Sequence, residues 1–377
     1  ELINTGDREK DVKVNLQKIA GILEDQVRKF PEQWLWAHKR WKTTPQRNVL
    51  VLGDGKAGHL NQAMGVAEMI EKALGSRLQA RGIKEKPVVK IHTAEIKFKN
   101  MFTKALLSLT SIFASRRCQG CLRCLKFCLT KESFENVKNK YADIVISCGS
   151  STTAANIFLK YENNARNTVI MKPGLGQGKK IDLNILPRHD LHLRSESARI
   201  GPNVLITEGA PNRITETAME KAMVQIAGIR HQTSSRGGIG LLIGGDAKGF
   251  KLEKNDVKTA LDAVTKISEE KNLDVFVSTS RRTSPEIDRS VKEKLSNNKR
   301  CKLLIIANEK NIEGAVAGIF GLSDIIVTFP ESMSMISEAA SSGKYVIVFG
   351  EKLNAKGKYM KMVLNLESKG YIRTAGP

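Results

Sequence analysis

At 377 residues the chain exceeds an ordinary single domain of roughly 100 to 200 residues, so two domains with an appendage is the natural division. Its 61 Lys and Arg against 39 Asp and Glu leave a net charge of +22, which attracts polyanions at a distance. Only 5% of the residues are aromatic and no zinc-finger spacing, basic zipper or RNP run occurs, which excludes the usual nucleic-acid readers and leaves an anionic membrane surface or a phosphorylated glycan as the expected partner. No apolar run reaches roughly 18 residues and no signal peptide opens the chain, so the expected location is cytoplasmic, peripheral on the inner face of the cytoplasmic membrane.

Residues 1–44 read as an appendage: an amphipathic helix over 11–30, then a dense stretch in which Trp34, Trp36 and Trp41 alternate with His38, Lys39, Arg40 and Lys42. Indoles among basic residues suit a membrane headgroup region, and they suit a packing segment equally. The wording of residues 30–43, with Thr5-Gly6-Asp7-Arg8 before it, resembles the carboxy-terminal end of the lipid A lauroyl and myristoyl acyltransferases. In that family the catalytic His and Asp lie far upstream of this tail and have no counterpart here. The resemblance therefore implies a fusion whose acyltransferase domain lay upstream, and no acylation by this segment.

Residues 45–235 read as a first domain in which short apolar runs alternate with helical periodicity. Strands are expected at 49–52, 87–92, 142–147, 168–171 and 204–207, with helices over 59–74 and 215–229, the pattern of a parallel sheet covered by helices. The first strand runs into Gly53-Asp54-Gly55-Lys56-Ala57-Gly58-His59-Leu60-Asn61-Gln62. Glycines let such a loop turn tightly, and the amides at the following helix start suit a phosphate or an oxyanion. The spacing is not that of a dinucleotide fingerprint, which demotes a dehydrogenase. Asp54 and His59 are the candidate general base and its partner, with Gly55, Lys56, Gly58 and Asn61 as candidate acceptor-binding positions; turn geometry alone is the plain alternative.

Farther along, the apolar stretch 101–113 ends at Arg116-Arg117 and is too short to span a bilayer. It suits an interfacial helix or an ordinary core helix. Cys118, Cys121, Cys124 and Cys128 follow with the spacing C-x2-C-x2-C-x3-C. That spacing supports iron-sulfur ligation, but Leu129 follows where ferredoxins place Pro and no second run exists. An iron-sulfur cluster or zinc is one reading, and free thiols in a reducing compartment the other.

The polar stretch 231–238 reads as a linker, and the strand-helix pattern restarts in a second domain, 236–377, with strands expected at 239–243, 273–278, 302–307, 324–329 and 345–349. Gly244-Gly245-Asp246-Ala247-Lys248-Gly249 follows its first strand, and Lys248 is a candidate to neutralise a diphosphate. Ser280, Arg281 and Arg282 follow the next strand, at the carboxyl edge where open α/β sheets bind ligands and where guanidinium groups suit phosphate. Ser332 is a candidate N-cap of a helix whose first amides, with Ser334, suit a donor phosphate, while Glu338 suits a ribose. The alternative is a capped helix packed by Met333, Met335 and Ile336.

The loop at 53–62, Ile185-Leu186-Pro187-Arg188-His189-Asp190, Ser280-Arg281-Arg282-Thr283 and Ser332-Met333-Ser334-Met335-Ile336-Ser337-Glu338-Ala339 resemble, in that order, the mitochondrial-fission-factor family first named in plants, with an acid kept at Glu331. The resemblance covers about 46–370 and implies two Rossmann-like doubly wound domains in the GT-B architecture, behind a short helical appendage. It implies a glycosyltransferase-like enzyme binding a nucleotide-sugar and transferring the sugar to a lipid-linked or phosphorylated glycan, with lipid A or its core suggested by the fused tail. No Asp-x-Asp motif occurs, so no catalytic metal is expected. A nonenzymatic membrane-associated scaffold of the same fold, and an iron-sulfur or zinc protein, are the competing readings.

Overall fold

The computed structural model describes residues 2–33, 46–80, 89–191, 201–227, 237–247, 251–310, 312–350 and 358–376. The tryptophan-rich stretch and Lys248 lie outside these residues. The chain divides into two compact units, Glu1–Pro45 and Gln46–Pro377.

In the smaller unit a single long helix, α1 (Arg8–Lys29), starts where Asp7 accepts hydrogen bonds from the amides of Glu9 and Lys10. An extended segment folds back along it: Thr5 donates through its amide and hydroxyl to Asp11, and Ile3 and Asn15 exchange a pair of hydrogen bonds at 2.7 Å. Val12, Leu16, Ile19 and Leu23 of α1 stay exposed.

The larger unit carries two six-stranded sheets, parallel throughout. The first is built from β1 (Arg47–Gly53), α2 (Ala57–Ala80), β2 (Val89–Glu95), α3 (Met101–Ser111), α4 (Arg123–Cys128), α5 (Lys131–Lys138), β3 (Ile144–Cys148), α6 (Ser150–Asn163), β4 (Arg166–Ile170), β5 (Leu183–Pro187) and β6 (Val204–Thr207), in the order β2-β1-β3-β4-β5-β6. After α7 (Glu216–Ala227) comes the second: β7 (Gly238–Leu242), α8 (Lys254–Lys271), β8 (Asp274–Ser278), α9 (Pro285–Leu295), β9 (Cys301–Ile305), α10 (Ala315–Leu322), β10 (Ile325–Thr328), α11 (Met333–Ser341), β11 (Tyr345–Phe349), α12 (Lys358–Ser368) and β12 (Arg373–Ala375). Its order is β12-β11-β10-β7-β8-β9.

The central strands of both sheets are buried on both faces, which is why they read as continuous apolar runs. In β1, Val49 and Val51 join Ala63, Ala67 and Ile146 on one face, while Leu50 and Leu52 join Leu107, Val145 and Ile157 on the other. The second sheet repeats this, with Ile239 and Leu241 against Val257 and Leu261 on one face and Leu242, Phe276 and Val348 against Ile319 and Ile336 on the other. The two-sheet α/β class expected from the sequence is therefore present. Burying side chains of this size contributes about 1.5 to 3 kcal/mol each against leaving them in water.

The helix expected at 215–229 to close the first domain has a different neighbour. As α7 it packs on α10 of the second sheet so closely that a Cβ on Gly318 would collide with Ile226, and one on Gly321 would meet the Met219 carbonyl oxygen at 3.0 Å. This helix thus covers the second sheet rather than closing the first.

Candidate functional site

In an open parallel sheet the strand order reverses at one place, and the loops leaving the two strands there diverge to opposite faces and open a crevice at the carboxyl edge. The first sheet reverses between β1 and β3, the second between β7 and β10. Each crevice holds a carboxylate.

In the first, Asp54 leaves β1 and turns into α2 through Gly55, whose φ of +82° puts it in the region that favours glycine. The Asp54 side chain is 7% exposed. Its Oδ2 accepts from Ser151 Oγ at 2.8 Å and from His59 Nδ1 at 2.9 Å, its Oδ1 accepts from the Lys56 amide at 3.2 Å, and the Lys56 ammonium lies 3.7 Å away. Burial works against the charge, but the Ser151 hydroxyl, His59 and the Lys56 amide outweigh it and hold the carboxyl below its ordinary range. An ionised carboxylate only accepts, so the proton of the shared bond sits on His59 Nδ1 and the lone pair of the neutral imidazole is on Nε2. The ring lies against the loop after β3: a Cβ on Gly149, where φ is +81°, would stand 3.1 Å from His59 Cε1. Below it Cys148 is buried, and that burial pushes its thiol up to about 12.

In the second crevice the loop after β7 meets the turn after β8. Thr283 Oγ1 donates to the carbonyls of Ile243 and Gly244, the Ser280 amide donates to Thr283 Oγ1 at 2.9 Å, and Arg282 Nη1 reaches the Asp246 carbonyl at 3.4 Å. A Cβ on Gly245 would collide with the Arg282 carbonyl, and one on Gly244 with the Glu331 carboxylate. Glycines at 244 and 245 are therefore required by close approach of neighbours. Glu331, just after β10, is 1% exposed, and among the described residues its carboxylate oxygens make no well-formed hydrogen bond, with only its own and the Gly244 amides near them. Burial pushes it up to about 7, against the pull of its own and the Gly244 amides and of Arg282. Next to it Ser332 caps α11, accepting from the Met335 amide, as the sequence led us to expect. Glu338, one turn on, is likewise pushed up to about 7 by burial.

The two crevices meet. A Cβ on Gly58, in the first turn of α2, would stand 3.6 Å from Ser334 Oγ in the first turn of α11. The segment after β6 bridges the halves: the Ala210 amide donates to Ser337 Oγ at 3.0 Å, Asn212 Nδ2 donates to Ser341 Oγ at 2.9 Å, and Arg213 pairs with Glu68 of α2 at 2.6 Å. Glu208 accepts from Arg188, from Asn365 of α12 and from Lys369, contacts that hold it down to about 2.

Of the residues singled out in the sequence, the structure gathers Asp54, His59 and Lys56 in one crevice and Gly244, Gly245, Ser280 and Arg282 around the other, with Gly58, Ser332 and Ser334 where they meet. Asn61 and Arg281 are exposed beside these groups, on α2 and on the turn after β8. The cysteines lie apart. The Gly120 amide donates to Glu162 at the far end of α6, about 16 Å along that helix from Ser151. Among the described residues no group of three or more His, Cys, Asp or Glu is placed to hold a metal ion. Burial pushes the Cys124 and Cys128 thiols up. Ser151 and Gly149 were missed; the signal for them was Gly149-Ser150-Ser151 directly after the apolar run of β3.

A model of the family described as mitochondrial fission ELM1 matches residues 57–376, and one of bacterial lipid A biosynthesis acyltransferases matches residues 3–43. An uncharacterized protein of Rickettsia prowazekii (strain Madrid E) is 25% identical over 250 residues, 59% of this chain and 68% of that protein. Among solved structures, UDP-GlcNAc 2-epimerase from Methanocaldococcus jannaschii aligns with a TM-score of 0.49 at 12% identity, over 88% of this chain and 89% of that one. The Streptomyces sp. SF2575 glycosyltransferase SsfS6 aligns with a TM-score of 0.39 at 10% identity, over 87% of each chain.

Proposed function

The chain belongs to the mitochondrial fission ELM1 family, and from that premise we propose that it is a glycosyltransferase-like enzyme that moves a sugar from a nucleotide-sugar to a membrane-associated glycolipid. The observation that carries the reading is the meeting of two switch-point crevices with complementary chemistry. His59 with Asp54 in the first would serve as a base and its orienting carboxylate; the capped start of α11 and Arg282 in the second, with Arg281 exposed beside them, suit a diphosphate. The short match to lipid A acyltransferases supports lipid A or its core as the acceptor.

In this mechanism Asp54 fixes the His59 tautomer and leaves Nε2 to accept the proton of an acceptor hydroxyl. As that oxygen bonds to the anomeric carbon, the bond from this carbon to the diphosphate oxygen breaks and its electron pair leaves with the diphosphate. The first amides of α11, with Arg281 and Arg282, stabilise the departing charge. Ser151 steadies Asp54. Calorimetry with a panel of nucleotide-sugars, followed by mass spectrometry of lipid A-type acceptors incubated with the donor that binds, tests the reading. We expect one donor to bind and the acceptor to gain one sugar mass. Failure of the whole panel to bind overturns the enzyme reading in favour of a scaffold.

A further inference from the structure

A patch outside both crevices is apolar where it should be wet. Helix α3 buries the stripe Thr103, Leu107 and Ser111 against the core shared with α6. Its other side carries Met101, Phe102 and Leu109, all exposed, and the line continues into Phe113, which is 78% exposed. Next to it the short helix α4 leaves Phe127 exposed, with the Lys99 ammonium 5.6 Å from the ring centroid. Exposed apolar side chains are ordinary when scattered and informative when contiguous.

A third element is held against the end of α3. Leu175 is 95% exposed, yet the turn that carries it is fixed. Gln177 is fully buried and donates to Ser111 Oγ at 2.8 Å and Ser108 Oγ at 3.2 Å, while its own Oε1 accepts from the Gly174 amide at 3.0 Å. A Cβ on Gly176, where φ is +75°, would touch Ile112 at 3.0 Å. A buried amide thus anchors a turn whose tip is a leucine pointing into solvent. Water gives no reason for that arrangement; an apolar medium does.

Charge selects the medium. Between Ile96 and Lys131 the sequence contains no Asp or Glu, while Lys99, Lys104, Arg116, Arg117, Arg123 and Lys126 surround the apolar side chains. Protruding apolar tips within a basic surround match an interface in which the rings enter the acyl boundary and the cations meet anionic headgroups. The segment leaves β2 beside the first crevice, where a Cβ on Gly55 would stand 3.2 Å from Glu95 Oε1. We infer that α3, α4 and the turn at Leu175 form a surface that docks the folded chain onto an anionic lipid bilayer. Its purpose rests on the reading of a membrane-borne acceptor, but vesicle binding itself does not.

The test is co-sedimentation of the full chain with vesicles of phosphatidylcholine alone and of phosphatidylcholine mixed with phosphatidylglycerol. The parent should pellet with the mixed vesicles only and return to the supernatant as salt is raised. Phe102→Ser with Phe113→Ser should lower the partition coefficient roughly tenfold or more, as expected when two rings no longer bury their area. Leu175→Ser repeats the loss at a side chain that contacts almost nothing, so folding is not at issue. Val224→Ser, on the exposed side of α7, should bind like the parent. Parent chain left in the supernatant with mixed vesicles, variants that pellet undiminished, or an equal loss in Val224→Ser each overturn the inference. Calorimetry of the same variants with a nucleotide-sugar, in the absence of vesicles, separates the two readings: vesicle binding without donor binding defeats the proposed enzyme and leaves the docking surface standing.

Discussion

Asp54 in the first crevice and Glu331 in the second both follow a strand at the point where a sheet reverses order, Asp54 after β1 and Glu331 after β10, yet they meet opposite surroundings. Asp54 is nearly buried and accepts from a hydroxyl, an imidazole and an amide, so it stays charged and orients the His59 ring. Glu331 is buried, and the weak pull of its own and the Gly244 amides does not offset that burial, so it favours the protonated form until about pH 7. The fold supplies a carboxyl at both crevices; the donors supplied by neighbouring loops decide whether it acts as an anion or as a neutral wall beside an arginine.

The largest effect should come from removing the charged side of the pair. Asp54→Asn or His59→Ala should lower the transfer rate by roughly 10²-fold or more while donor binding holds, because the loss of a positioned base has that scale. Parallel calorimetry and turnover measurements decide it. If both variants keep the parent rate, Asp54 and Glu331 do not differ in the way described.

Glu331 should reveal itself through pH. Unfolded it titrates near 4.5 and folded near 7, so between these values the folded chain keeps a proton that the unfolded chain has released. Stability therefore falls as pH rises through this window, by about 3 kcal/mol in all for this group. Denaturant titrations from pH 4 to 9 should show a shallower fall in Glu331→Gln, with a remainder because Glu338 shifts the same way. An unchanged slope would place the cost elsewhere.

Arg281→Ala should weaken nucleotide-sugar binding by roughly 1.5 to 3 kcal/mol, the range of a charged hydrogen bond. Arg282→Ala has a second consequence, since Arg282 also reaches the Asp246 carbonyl and offsets part of the cost of charging Glu331. Comparing the two in calorimetry separates ligand contact from loop support. The smallest effect belongs to the link between the halves: Glu208→Ala should cost only about 0.5 to 1 kcal/mol in thermal unfolding, because its partners Arg188 and Lys369 are partly solvated.

Much of this architecture was legible because strands buried on both faces announce themselves as apolar runs, and those at 239–243 and 273–278 fall on the fully buried β7 and β8 within a residue at each end. Helix α6 was not. Its first half, Ser150-Ser151-Thr152-Thr153-Ala154-Ala155-Asn156, is small and hydroxyl-rich, and it is buried on almost every side, so no helical period separates a wet face from a dry one. Strand β5 hid behind Asn184, a poor strand residue whose amide donates to the Val169 and Met171 carbonyls. The site divides along the same line. Asp54 and His59 sit five residues apart on one glycine-rich loop and could be read together, whereas Ser151 arrives from 97 residues away and only the sheet brings it in. A buried acid such as Glu331 looks like any solvated one until its neighbours are known.

The close approach of the first turns at Gly58 and Ser334 has an electrostatic consequence. Each helix start carries roughly half a positive charge in its unpaired amides. Where α2 meets α11 two like partial charges are held together by the packing around them, and the contact is under mild repulsion. A dianion lodged there would lower the energy of both starts at once and act as a clasp between the halves.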